Sequence, residues 1–415
     1  MPSDIPSQEQ TPLLRNPSFV RLWLTGATLM AMRWFEILAT SVFTYNVTQS
    51  ALAVALVMLA RVTPNLLFGA ITGAIADRFD RRVLLVAGLT STTTVTGTLC
   101  VLAYLGVLNP WHIAIGAFLN GVVFSSEFPV RRTLMGDIAG VDRVGRAMGL
   151  DLTANNATRI VGPALGGIVL ETIGIAGVYT VSTISYAFCV FLVFGVVPPQ
   201  RVAAAAQSFF GHIVEGLRYV RGQRPLVGTM MITVIMNVWG LPYAAMVPVI
   251  GREELGLTAF PIGLLLSSEG VGAMLGSLLA AAYATQRQFA RIYLYGSLLL
   301  NAAVVLFAWS DIYAMSLALT FTAGLGIAGF TTMQATLPYV LAAPEMRARV
   351  MGVLSVSIGS APLGMLHIGI LADWLGAPGA LAAMGLEGLV ALALVMWIWP
   401  EVRGPGHPPR ASVDG

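Results

Sequence analysis

The chain of 415 residues contains no lysine: all 23 of its basic residues are arginine. That bias points to a GC-rich bacterial genome. Charge of either sign is scarce as well, at 10% of residues, where soluble domains carry about 25%. A soluble chain of this length would split into two or three domains with charged surfaces, and there is too little charge here to cover them. There are two cysteines, Cys100 and Cys189, both inside apolar runs, so free thiols are expected and no disulfide. Four histidines without a Cys/His cluster give no metal site. His367 lies inside a predicted span with no nucleophile partner in view, so a hydrolase is not expected. The pattern G-x-x-x-x-G-K-[ST] is absent, so nothing suggests ATP use. The expectations are no enzyme activity, no cofactor, no metal and no nucleic-acid partner.

What is abundant is apolar sequence. Hydrophobic residues make up 56% of the chain and mean hydropathy is +0.79. Runs long enough to cross a bilayer recur throughout. They predict an all-α membrane protein of about twelve transmembrane helices: 20–46, 51–76, 83–106, 111–132, 146–171, 174–197, 226–250, 260–284, 289–309, 312–338, 347–372 and 378–399. The first run lacks a small-residue cleavage site and is too long for a signal-peptide core, so it is read as a span. The longest polar connection contains FFGHIVEGLRYVR. Phe210, Ile213, Val214, Leu217 and Val220 fall on one helical stripe, and Glu215, Arg218 and Arg221 lie off it. Either an amphipathic helix at the membrane surface or a soluble linker helix fits that pattern.

The arginines fix an orientation. Nineteen fall on one side of the predicted spans, Arg252 falls on the other, and Arg33, Arg61 and Arg159 fall inside. Basic residues stay cytoplasmic, so both termini are expected in the cytoplasm of a bacterial inner-membrane protein.

The second half also echoes the first at an offset of about 202 residues. RAMG at 146–149 recurs as RVMG at 349–352, and GIVLETIG at 167–174 as GILADWLG at 369–376. The layout is two six-helix pseudo-repeats, as in transporters with a site between the halves. The expected divisions are 1–197 for the first bundle, 198–225 for a cytoplasmic linker, 226–400 for the second bundle and 401–415 for a tail.

One charged knot stands out, GAIADRFDRR at 73–82. Gly73, Asp77, Arg78, Arg81 and Arg82 resemble the loop 2–3 signature of the major facilitator superfamily, with Asp80 where many members have glycine. GPALGG, with Gly162, Pro163, Gly166 and Gly167, resembles the span 5 motif of its antiporter branches. SEFPVRR at 126–132, EGLRYVR at 215–221 and PEMRARVMG at 344–352 resemble the enterobactin-exporter and macrolide-efflux group. The resemblance covers essentially the whole chain and implies the major facilitator fold, normally monomeric. It implies that Asp77 latches span 2 onto span 11 near Arg347 when the cytoplasmic side is shut. For the span 5 motif it leaves a hinge or seal beside a simple close-packing face. It further implies that spans 1, 4, 7 and 10 line a central cavity, which would place Asn237, Trp239 and Tyr243, then Phe330, Thr331 and Gln334, at its wall.

Ionisable residues in hydrocarbon cost about 2.5–3.5 kcal/mol each on insertion scales, so each asks for a reason. Arg33 and Glu36 share one face of span 1, with Thr40 and Thr44 beyond them. Span 2 adds Arg61 and Asn65. Span 4 lines up Asn120, Phe124, Glu127 and Arg131, and span 8 adds Glu269. A carboxylate whose arginine partner comes and goes takes up and releases a proton. Glu36 is the leading candidate, with Arg33 and Arg61 in reach, and Glu127 the second. A fixed ion pair is the competing account of both. Arg131, Asp151 and Arg159 are grouped as a structural network near the cytoplasmic side. Glu387 is assigned no role and His367 a packing role.

The function expected is proton-driven efflux of an amphipathic small molecule, such as a siderophore, antibiotic or drug. A lipid flippase or an importer of the same fold, and more remotely a non-transporting sensor or scaffold, remain open at this point. The partners expected are the solute, protons and the lipid bilayer.

Overall fold

Asn16 begins the first long helix. Its side chain accepts from the amides of Ser18 and Phe19 at 3.0 and 3.3 Å, and Pro17 supplies the first helical residue. Both devices satisfy or remove amides that a helix start leaves orphaned. The computed structural model describes the backbone of residues 12–197 and 209–404, and the side chains of these except 69–78, 141 and 209–213. All regular structure among the described residues is helical.

The main elements are α1 (Pro17–Thr48), α2 (Ala51–Arg78), α3 (Arg81–Tyr104), α4 (Pro110–Ala139), α5 (Val144–Phe194) and α6 (Phe209–Arg221). After them come α7 (Arg224–Ile235), α8 (Val247–Glu253), α9 (Ala259–Tyr283), α10 (Phe289–Ala308), α11 (Tyr313–Leu341), α12 (Arg347–Ile358) and α13 (Ala361–Ile398). Among the described residues, nine helical segments are long and apolar enough to cross a bilayer.

Two of the nine, Val144–Phe194 and Pro344–Ile398, run to 51 and 55 residues, where one crossing needs about 20. Each bends at a glycine in the left-handed region, Gly174 at φ 76° and Gly376 at φ 71°. Only glycine takes that conformation without strain. The bend at Gly174 is a reversal. Trp23 near the start of α1 donates to the carbonyl of Leu150 at 3.1 Å, and neighbouring Arg21 donates to that of Gly195. Both ends of α5 therefore lie beside the same end of α1. Gly376 reverses α13 in the same way. Arg349 pairs with Glu215 of α6 at 2.7 Å, and Arg224, three residues beyond α6, donates to the carbonyl of Ile398 at 2.7 Å.

The sequence predicts one straight span over 226–250. The chain instead breaks there: a π turn covers Met236–Gly240 and a 3-10 turn Leu241–Ala245 before α8. Pro242 and Pro248, which lack amides to continue a helix, lie in the second turn and in α8.

Two apolar cores result. One joins Phe19, Leu22, Phe35, Leu85, Leu134 and Val178, from α1, α3, α4 and α5. The other fills residues 220–402 and also takes in Leu38, Val42 and Tyr45 of α1 and Val54, Ala55 and Met58 of α2. The two halves therefore meet where α1 ends and α2 begins, at the end of the bundle that carries Arg252.

On α6, Val220 is buried in the second core, while Val214 and Leu217 are exposed. Phe210 and Ile213 lie outside the described side chains. The face of α6 that packs is set by Gly216, where an added Cβ would lie 2.5 Å from the carbonyl oxygen of Arg349.

Candidate functional site

The charged residues of the membrane interior sort into three groups. The first lines a cavity of about 50 Å³ inside the first half, walled by Arg33, Glu36, Arg61, Asn120, Phe124 and Glu127, with Tyr186 from α5. That is room for a few waters, and too little for an organic solute. Glu36 is buried and faces Arg61 across 3.8 Å, and the Tyr186 hydroxyl donates to its Oε1 at 3.0 Å. Arg33 turns elsewhere: its guanidinium lies 3.9 Å from the centre of the Phe124 ring, a cation–π placement. The i, i+3 spacing predicts Arg33 as a partner for Glu36; the direct partner is Arg61, from the next helix. Arg61 Nε and Asn120 Oδ1 are buried polar atoms with no protein partner among the described residues.

The second group begins one turn along α4. Arg131 Nε donates to Glu127 Oε1 at 2.9 Å and its Nη1 to Asp151 Oδ1 at 2.7 Å, while Arg132 Nε holds Asp151 Oδ2 at 2.8 Å. Two carboxylates and two guanidiniums neutralise one another, as buried charges require. Gly26 of α1 leaves the space that the Arg131 guanidinium occupies.

Arg159, which the sequence groups with Arg131 and Asp151, belongs to neither. It pairs with Glu269 of α9, in the other half of the chain, and the Tyr243 hydroxyl donates to the second oxygen of Glu269 at 2.6 Å. Trp34 of α1 lies under the Arg159 guanidinium, 5.0 Å from ring centre to Cζ. This third group crosses the seam between the halves. Eight residues separate Arg159 from Asp151, rather more than two turns, so the two side chains sit at different depths of α5.

The span 5 motif lies at the same seam. Cβ atoms added at Gly162 and Gly166 would meet the backbone of α1, at Ala31 (2.9 Å) and Phe35 (2.5 Å). One added at Gly167 would lie 2.5 Å from the carbonyl oxygen of Ala259, and one at Gly263 would lie 2.6 Å from that of Pro163. Gly270 approaches the Arg159 carbonyl in the same way. Residue numbers rise along α5 as they fall along α9, so the two helices run antiparallel in backbone contact.

The residues expected at a central cavity wall have other partners. Asn237 is buried and its amide donates to the Thr233 carbonyl at 2.8 Å. Trp239 Nε1 donates to Glu387 Oε2 at 2.7 Å, and His367 Nε2 meets the same oxygen at 2.8 Å. His367 and Glu387 are therefore partners, where packing and no role are the expectations. Their side chains keep 38% and 43% exposure on α13. Phe330 is buried against Tyr293, ring centres 5.3 Å apart, and Gln334 is half-buried.

The side chains of Gly73, Asp77 and Arg78 lie outside the described residues. Arg81 pairs with Asp137 and Arg82 with the carbonyl of Phe194, both within the first half. Asp80 caps α3 by accepting from the amides of Arg82 and Val83 at 2.8 and 3.1 Å. Its φ of −62° needs no glycine.

Sequence reasoning missed Tyr186 and Trp34, and it named Glu269 without a partner. Nothing in local spacing joins Tyr186 to Glu36, 150 positions apart, or Arg159 to Glu269, 110 apart.

The fold agrees with comparison to known proteins. The chain is 27% identical to the multidrug efflux pump Tap of Mycobacterium tuberculosis, over 96% of this chain and 97% of that one. It is 23% identical to the staphyloferrin A transporter of Staphylococcus aureus, over 85% of this chain and 89% of that one. Among solved structures, a mutant of the nucleoside transporter NupG superposes with a TM-score of 0.74 at 11% identity, covering 93% of this chain and all of that one. A family model described as transmembrane secretion effector matches residues 9–403. The chain belongs to that family, within the major facilitator superfamily of membrane transporters.

Proposed function

We propose that the protein exports an amphipathic organic compound across a bacterial inner membrane in exchange for protons. The observation that carries this reading is the polar cavity of the first half. Arg33, Glu36, Arg61 and Glu127 converge on a water-sized space inside the first half. Charge at that depth is costly and marks ion pathways. A space for a few waters beside two carboxylates suits proton binding and not solute binding. The multidrug and siderophore transporters named above favour organic solutes, and the glycine-rich α5–α9 seam favours a tight outer closure.

Twelve crossings follow if the two folded-back segments count twice and α1 is added to the nine. An even count puts both termini on one side, and the arginines put that side in the cytoplasm. The halves then correspond to 1–197 and 226–400, joined by the 198–225 linker, in a monomer. Contact between them at the Arg252 end is contact on the outer face.

Purified protein in proteoliposomes tests the reading. A pH gradient would be imposed and efflux followed for a catecholate siderophore, a macrolide and a lipophilic cationic dye, with wild type and Glu36→Gln. Gradient-driven movement of one compound, uncoupled in Glu36→Gln, is the expected result. Transport that runs equally without the gradient rejects proton coupling, and a silent Glu36→Gln rejects Glu36 as its carrier.

A further inference from the structure

Glu36–Arg61 and the Glu127–Arg131–Asp151–Arg132 group are each made wholly within the first half. If the two halves rock against each other, these distances do not change. Among the described residues, Arg159–Glu269 is the ion pair that joins one half to the other. Its geometry is set on both sides. Arg159 sits on Trp34 where α5 packs against α1, and Glu269 sits where α9 packs against α11, with Gly324 against its backbone carbonyl. Tyr243 reaches Glu269 from the 3-10 turn that interrupts the seventh crossing, so the break in that helix positions the hydroxyl. Glu269 is buried at 4% side-chain exposure, and Arg159 keeps 20%. Around this ion pair, α5 presents Arg159, the 3-10 turn presents Tyr243 to the carboxylate, α1 presents the neutral Trp34 to the guanidinium and α11 presents Gly324 to the backbone of Glu269.

We propose that Glu269 is a proton-binding site that works the outer gate. Ionised, its carboxylate ties α9 to α5 through Arg159 and accepts from Tyr243. Separation of the halves at this end removes the guanidinium from the carboxylate, and the neutral acid is then favoured. A proton taken from the outer water therefore binds the open form better than the closed form. By linkage, acid outside shifts the population towards opening. When Arg159 returns, the O–H bond of Glu269 breaks, and the proton leaves to the cytoplasmic water as the ion pair reforms. The inference rests on the alternating, proton-coupled reading above and adds a site to it. The cavity carboxylates lie within one half, whereas Glu269 couples protonation to the position of both.

The test reads conformation directly and needs no known solute. Cys100→Ser and Cys189→Ala remove the native thiols. Val47→Cys on α1 and Glu254→Cys just after α8, both exposed at the Arg252 end, carry spin labels. Distances between them would be measured by electron–electron double resonance for the full chain in lipid nanodiscs, from alkaline to acidic pH. The expected result is a growing long-distance population on acidification. Glu269→Gln should show the long distance at every pH, with no response. Glu269→Asp should keep the response with a displaced midpoint, which separates loss of titration from loss of folding. A wild-type response retained in Glu269→Gln, or no response in wild type, overturns the proposal. Gradient-driven efflux in the same lipids is read separately. Its absence in wild type rejects the efflux reading, whereas efflux that stays coupled in Glu269→Gln rejects this site alone.

Discussion

Gly26 and Arg131 share one space: the missing side chain of the first is where the guanidinium of the second lies. Arg131 is 1% exposed and holds both Glu127 and Asp151. A methyl group on residue 26 would press on that guanidinium and loosen both bonds. Gly26→Ala is expected to destabilise the protein by about 1–3 kcal/mol, the usual cost of overpacking. A lower melting temperature in detergent checks this, and an unchanged one would mean that the guanidinium can move aside.

The span 5 motif separates packing from gating. Gly166 faces α1 within the first half, and Gly167 faces Ala259 across the seam. Gly166→Ala should lower thermal stability, because neither helix can retreat within a packed half. Gly167→Ala should lower it less and open the outer end instead, raising proton leak through proteoliposomes several-fold. Equal effects on both readouts would show that the seam moves as part of one rigid body.

At the end of the bundle that carries Arg252, its Nε donates to Asn46 Oδ1 at 3.0 Å, joining α8 to α1. Both residues are exposed, so the bond is worth about 0.5–1.5 kcal/mol. Arg252→Ala is expected to leave the melting temperature nearly unchanged. It should increase maleimide labelling of a cysteine placed at Val42, which is buried against the second half, because closure at this end loses one tie.

The two thiols differ in access. Cys189 is buried against α1, and Cys100 is half-buried beside Thr180. Maleimide should modify Cys100 faster than Cys189 in intact membranes, with Cys189 following only after denaturation. Mass spectrometry of single-cysteine variants measures the order.

These contacts show where sequence reading ends. Glu127 and Arg131 are four residues apart on one helix, and their pairing is legible from spacing. GPALGG announces close approach, since glycine is what lets helices touch. It does not say that Gly166 and Gly167 meet different helices in different halves. The break at Met236–Ala245 is invisible to hydropathy because none of its residues is charged and Asn237 is its one strongly polar side chain. Arg159 is misplaced by sequence for a related reason. A buried arginine binds whichever carboxylate the tertiary fold brings up, and Glu269 arrives from the far half of the chain.

Gly174 and Gly376 also bear on how the chain is made. Each reverses a helix with no intervening polar loop. The two limbs around each glycine are therefore joined directly, with no loop to separate them. The consequence expected in biogenesis is entry of each pair into the bilayer as a single helical hairpin. With both termini in the cytoplasm, as proposed above, a foreign epitope placed after either glycine would have to be carried across with it.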